Sequence, residues 1–181
     1  CLLVMNDTIF NGRDVTKTAT YRVEAFQSRD LGPLGFADGD GKIVYYHTPV
    51  RKHTTATEFD VRNLESLPRV DMVLSYVGAD GNMIEAAAKA GAKGIVSAGT
   101  GAGRPTPAED AAFDKCFKET GMLMCLCSRV AAGRVVRSPG LQRRGFVAGD
   151  NLQPWKARLL LALALTKTSN PDEIQRMIDT Y

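Results

Sequence analysis

From residue 70 onward, apolar residues arrive in two alternating formats, and this alternation restricts the fold more than any other feature of the chain. Short aliphatic runs at 70–76, 94–98 and 122–127 read as buried strands. Between them lie segments with helix start and stop signals. Asn82 stands as an N-cap with Glu85 at the third position, and Gly91 stops a helix over 83–90. Thr106, Pro107 and Glu109 form a capping box with proline in the first turn, which starts a helix over 107–120. A looser stretch with Val135 and Val136 leads to a short strand at 145–148. A helix follows from Asn151, with Pro154 in its first turn and an apolar stripe of Leu152, Trp155, Leu159 and Leu163. Asn170 and Glu173 cap a last helix whose Ile174, Met177, Ile178 and Tyr181 share a side. Strands separated by helices of this length imply a parallel sheet covered on both faces. Residues 69–181 are therefore expected to form a small, complete doubly wound α/β domain.

The earlier residues follow another pattern. Residues 1–47 are β-rich: an apolar run at 1–5 expected to be a buried strand, a turn at Asn11-Gly12, an extended run at 13–18, and a hairpin turned by Asp38-Gly39-Asp40-Gly41 before the strand 42–46. They lack helices of their own and read as the remnant of a larger domain. Residues 48–68 are poor in apolar residues and read as a linker. The chain opens inside an apolar strand, so it is expected to be the later portion of a longer protein.

Composition excludes several classes. With 23 Lys and Arg against 20 Asp and Glu, the charge is small and spread out, so no nucleic-acid arm is expected. The longest apolar run, 159–165, is far too short to cross a bilayer. Cys125 and Cys127 face one side of a strand and lack the second pair and histidines of a zinc site; no metal is expected. His47 and His53 have no nucleophile setting around them and are read as making structural polar contacts. The loop Gly99-Thr100-Gly101-Ala102-Gly103 follows a strand, but its spacing is not that of a dinucleotide fingerprint, and no Gly-Lys-Ser/Thr marks a P-loop. It reads as a tight crossover.

One stretch carries chemistry. Arg13-Asp14-Val15-Thr16-Lys17-Thr18 packs cations, an anion and hydroxyls into one extended segment, in which Lys17 shares the face of Val15. A lysine withdrawn from water tends to lose its proton and can then act as a base. The residues leave two roles open: a base, or a cation that reaches solvent or pairs with Asp14.

This stretch, with Val4-Met5-Asn6-Asp7 before it, resembles the bacterial type II L-asparaginases. So do Phe26-Gln27-Ser28, Gly32-Pro33-Leu34-Gly35, Thr48 to Thr54, Phe59-Asp60-Val61, Gly94 to Gly99, Ser128-Arg129-Val130, Gly145 to Ala148 and Asn151 to Arg158, in order along the chain. The resemblance implies the end of an N-terminal asparaginase-type α/β domain plus a complete C-terminal domain. It implies hydrolysis of L-asparagine, with L-glutamine as a second candidate, to the acid and ammonia, without metal or organic cofactor. Lys17 becomes the lysine of the catalytic set. The nucleophilic threonine motifs do not occur in this chain, which is expected to be inactive alone. The loop after Ser97-Ala98-Gly99 is implied to reach a neighbouring subunit's site in a homotetramer, making Arg104 a candidate substrate contact across that interface. Where the family offers a substrate-contacting glutamate, Ser138-Pro139-Gly140 has no acid, and Asp150 is not a safe replacement. A periplasmic setting is implied, with the cytoplasm as the alternative; no nucleic acid or membrane partner is. Two competing readings remain: an asparaginase-like subunit of a tRNA-dependent amidotransferase, and a ligand-binding or interaction module.

Overall fold

Backbone hydrogen bonding groups the strands into three sheets, two formed before residue 58 and one after it. The computed structural model describes residues 1–181, and they separate into a unit at Cys1–Thr57 and a unit at Glu58–Tyr181.

The first unit is built on an antiparallel sheet of β1 (Leu2–Met5), β2 (Thr8–Asn11), β5 (Gly35–Ala37) and β6 (Ile43–Tyr45), in that spatial order, with a small separate ladder of β3 (Thr16–Lys17) and β4 (Phe26–Gln27). The hairpin joining β1 to β2 turns at Asn6 and Asp7, both at positive φ. Two such residues suit the two-residue hairpin turn whose twist matches its strands, and Asn and Asp tolerate that conformation. The expected Asn11-Gly12 turn is a second reversal, in which Asn11 O accepts from the amides of Asp14 and Val15. The buried apolar side chains are Ile9, Phe10, Val15, Ala25 and Leu34. The expectation that the first strand is buried fails: β1 is an edge strand, and Leu2, Val4 and Met5 are exposed because no element of residues 1–57 covers them. Residues 48–57 carry only a 3-10 turn, Thr54–Ala56.

The second unit is a parallel sheet ordered β10 (Val147–Ala148), β9 (Leu123–Ser128), β8 (Gly94–Gly99), β7 (Val70–Leu74). Helices α1 (Asn82–Lys89) and α2 (Pro107–Thr120) cover one face, where Ile84, Phe113 and Cys116 meet Ile95, Met124 and Leu126. Helices α4 (Pro154–Ala164) and α5 (Pro171–Thr180) cover the other, where Leu161, Ile174 and Ile178 meet Val96, Leu123 and Val147. The doubly wound arrangement expected from the alternating pattern is the one observed. A short helix α3 (Pro139–Arg143), capped by the Ser138 hydroxyl, lies in the stretch read as loose. Its Ser-Pro start was the available signal. Cys125 and Cys127 pack side by side in the α4–α5 layer, where their mutual contact and burial push the Cys125 thiol up. No helix is long and apolar enough to cross a membrane.

Caps explain the helix starts. In α2 the capping box closes both ways: the Glu109 amide donates to Thr106 Oγ1 at 3.2 Å, and the Thr106 amide donates to Glu109 Oε2 at 2.8 Å. The same carboxylate oxygen accepts from the buried Ser75 hydroxyl at 2.6 Å, so a local cap also ties α2 to the end of β7. For α1 the expected cap is corrected. Asn82 is the first helical residue, and Asp80 accepts from its backbone and side-chain amides. In α5, Asn170 Oδ1 accepts from Asp172 and Glu173 amides. Glu58 and Phe59 are fastened to this last helix. The Glu58 amide donates to the Tyr181 hydroxyl at 2.8 Å, Arg176 grips the Glu58 carboxylate, and the Phe59 and Tyr181 rings lie 5.0 Å apart.

The apolar stripe expected on α4 is also corrected. Trp155 and Leu159 are exposed, whereas Ala157, Leu161 and Ala164 face the sheet. Small residues let the helix axis approach the strands, and Arg158 Nε donates to Val70 O at 2.7 Å, fixing its rotation beside the edge strand. Accordingly, Leu161→Ala is expected to cost about 2–4 kcal/mol, and Leu159→Ala less than about 0.5 kcal/mol, measured by urea unfolding followed through Trp155, the single tryptophan. Glu109→Ala strands a buried hydroxyl and removes half of a capping box; a loss of about 2 kcal/mol is expected in the same assay.

Candidate functional site

Lys17 sits in the second residue of β3, opposite Phe26 in β4. The ladder is secured on its far side by Thr18, whose amide donates to Ala25 O at 2.6 Å and whose hydroxyl donates to the same oxygen at 3.2 Å. Just before it, Asp14 binds Asn11 Nδ2 at 2.6 Å and Arg13 NH1 at 3.1 Å. These bonds hold the turn that launches β3 and leave the Asp14 carboxylate engaged away from Lys17. The expected packed setting for Lys17 is not found. Val15 and Thr16 are both buried and Lys17 is exposed. β3 starts from a turn and is two residues long, too short to establish a two-residue alternation of side chains. The Lys17 ammonium lies 5.9 Å from the Phe26 ring centroid, at the outer limit of a cation–π contact. With Thr18, Thr20, Tyr21 and Arg22 it borders an open concavity rich in hydroxyls and cations.

The second candidate element lies in the other unit, at the carboxyl end of the parallel sheet. After β8, the chain closes a small loop in which the Thr100 and Arg104 backbones exchange two 2.9 Å hydrogen bonds. Glycine is required at its base: a Cβ on Gly99 would stand 2.3 Å from the Gly103 carbonyl carbon. The loop is held from β9, where Ser128 Oγ donates to Gly101 O at 2.5 Å and the Arg129 amide donates to Gly99 O at 3.0 Å. Arg129 NH1 also donates to Ser75 O at 3.0 Å, drawing together the ends of β7, β8 and β9. Two of the loop's amides, those of Thr100 and Arg104, are used within it. Arg104 is exposed at its close and borders a cavity of about 590 Å³ whose lining includes Leu126, Val136 and Leu141.

Lys17 and Arg104 therefore fall in separate units, each placed by its own framework. Sequence reasoning missed three groups around the second element. Glu109 was legible as a cap but not as the partner of Ser75. Ser97, one residue into the Ser-Ala-Gly segment, keeps its hydroxyl buried without a hydrogen-bond partner. Asp150, buried at positive φ, pairs with Arg134, and its carboxylate raises the Arg134 pKa. Among the histidines, the His53 ring Nδ1 lies 3.3 Å from the hydroxyl of its neighbour Thr54, a local polar contact.

Two family models match the chain: "Asparaginase, N-terminal" over residues 1–51 and "Glutaminase/Asparaginase C-terminal domain" over residues 69–178. The chain is similar to L-asparaginase 2 of Escherichia coli K12, 44% identical over 99% of this chain and 52% of that protein. It is 38% identical to the probable periplasmic L-asparaginase of Haemophilus influenzae, over 99% of this chain and 52% of that protein. It is also 38% identical to the glutaminase-asparaginase of Pseudomonas fluorescens biotype A, over 99% of this chain and 50% of that protein. The chain spans about half the length of the curated relatives it matches. With the C-terminal model covering the whole doubly wound sheet and the N-terminal model covering the strands around Lys17, the chain belongs to the glutaminase/asparaginase family.

Proposed function

We propose that this chain is part of an amidohydrolase that converts L-asparagine, and as a second substrate L-glutamine, to the acid and ammonia. The observation that carries this reading is identity of 38–44% along 99% of the chain to proteins named for those activities. In the proposed reaction a threonine hydroxyl, from residues outside these 181, adds to the side-chain amide carbonyl. Ammonia leaves, an acyl ester remains on the threonine, and water hydrolyses it to the acid. A hydroxyl is a weak nucleophile until a base takes its proton. Lys17 is assigned that task together with an aspartate also outside the chain. An amine serves as a base only when neutral, which needs a neighbouring cation or removal from water. Because Lys17 is exposed among residues 1–57, that environment has to come from the rest of the protein.

Arg104 is assigned to a neighbouring subunit's site in a homotetramer, where its guanidinium would hold a substrate carboxylate. Its exposure and its place on a constrained loop at the carboxyl end of the sheet support this, since such sheets bind ligands there. The periplasm is the proposed compartment, supported by the name of the Haemophilus relative.

Lys17→Met in the complete protein keeps the stem and removes the amine. Turnover is expected to fall by about two to four powers of ten with the fold and most substrate affinity retained. Lys17→Arg should be nearly as poor, since a guanidinium is not deprotonated in this range. Near-normal turnover in Lys17→Arg, measured as ammonia release, would make Lys17 an electrostatic cation and not a base. The purified 181-residue chain is expected to release no ammonia from asparagine, because it lacks the nucleophile; measurable release would overturn the division of labour proposed here.

A further inference from the structure

The segment 129–136 runs past the loop at residues 99–104 without belonging to any helix or strand. It is stapled at its far end by two consecutive attachments to a single residue. Arg134 Nε pairs with the Asp150 carboxylate, and the next residue, Val135, donates its amide to Asp150 O at 3.0 Å. Asp150 follows β10 and has a φ of 54°, a left-handed conformation that costs most side chains strain but that Asp tolerates better than most. The Asp150 side chain is almost wholly buried, 5% exposed, while the Arg134 side chain is 67% exposed. Glycine would meet the same φ without strain.

What the staple holds is the side chain of Val135, which is 3% exposed. Its two methyls press directly on the loop: a Cβ on Gly103 would lie 2.9 Å and 3.0 Å from them. Gly103 is the residue before Arg104, and its carbonyl carbon stands against Gly99 at the base of the loop. A continuous line of contacts thus runs from Asp150 through Val135 to Gly103 and Arg104. The loop's other anchors, the Ser128 hydroxyl and the Arg129 amide, hold Gly101 and Gly99 and leave the Gly103 side to Val135.

We propose that Asp150 is a positioning residue: by fixing Arg134 and Val135 it sets the placement of Arg104, and through Arg104 it tunes substrate affinity at the site that loop serves. This rests on the role assigned to Arg104 above, and two separate readouts keep the two ideas apart. Amide hydrogen exchange in the complete protein reads the staple. Steady-state kinetics read the role of Arg104.

In Asp150→Gly the carboxylate is gone and the φ is unstrained. The melting temperature is expected to stay within about 3 °C of the parent. The Thr100 and Arg104 amides, which are hydrogen-bonded to each other's residues, should exchange about tenfold faster, with the amides of β8 unchanged. KM should rise about three- to tenfold with turnover within about twofold. Asp150→Asn keeps an oxygen for Arg134 and tolerance of the conformation, and should restore most of the protection. Arg134→Gln loosens the same staple from its exposed partner and serves if the glycine variant proves unstable. Unchanged exchange at Thr100 and Arg104 in both Asp150→Gly and Arg134→Gln overturns the inference. If exchange quickens while Arg104→Ala leaves KM unaltered, the coupling of staple to loop stands and the substrate role of Arg104 falls, and with it the tuning of affinity.

Discussion

The second unit is organised by the desolvation of one strand. All six residues of β8 are buried. Their amides and carbonyls have no access to water, and leaving even one unpaired would cost about 1–3 kcal/mol. That requirement demands a strand on each side, which β7 and β9 supply in parallel register. Their parallel direction in turn demands crossovers long enough to return to the same end, and these are the helices. Both faces of β8 then need apolar cover, which places α1 and α2 on one side and α4 and α5 on the other. The loop bearing Arg104 exists because β8 must leave the sheet at its carboxyl end between two neighbours, turn sharply, and reach the start of α2.

Around that exit the protein places polar groups that the core proper does not contain. Glu109 joins the start of α2 to the residue after β7, Arg129 reaches Ser75 O, Ser128 holds the loop, and Asp150 holds the segment beside it. The two acids among them, Glu109 and Asp150, are buried. A buried carboxylate is tolerated only when hydrogen-bonded, so each forces its partners into one arrangement. The exposed pairs elsewhere, such as Arg62 with Asp60, impose no such restriction. Rigidity at the carboxyl end therefore comes from buried polar contacts, and rigidity of the sheet comes from apolar packing. That division suits a fold that displays the loop proposed to contact substrate on a fixed scaffold.

The first unit obeys the same physics with less material. Its sheet buries Ile9, Phe10 and Leu34 but leaves Leu2, Val4 and Met5 of β1 exposed. Lys17 is fastened to this unit by main-chain bonds and by the Asn11–Asp14–Arg13 turn, not by packing around its own side chain. The backbone that carries the proposed base is thus well defined even where the amine is exposed.

Local signals determined most of the second unit's secondary structure. The Thr106–Glu109 box, the proline starts and the aliphatic runs are short-range features, and hydrogen bonds within a few residues enforce them wherever the chain lies. Motif order along the chain was enough to place it in the asparaginase family and to name Lys17 and Arg104 as candidates. Other outcomes needed the assembled fold. Which side of α4 is buried was decided by how closely its alanines can approach the sheet, against the stripe marked by Trp155 and Leu159. The exposure of Lys17 was decided by a turn that leaves β3 too short to alternate. The pairing of Ser75 with Glu109 and of Arg134 with Asp150 spans 34 and 16 residues respectively. Periodicity and capping report only what happens within about one turn of the chain. The identity of a side chain's partner depends on which distant segments the folded backbone brings within about 3 Å, and only the tertiary structure decides that.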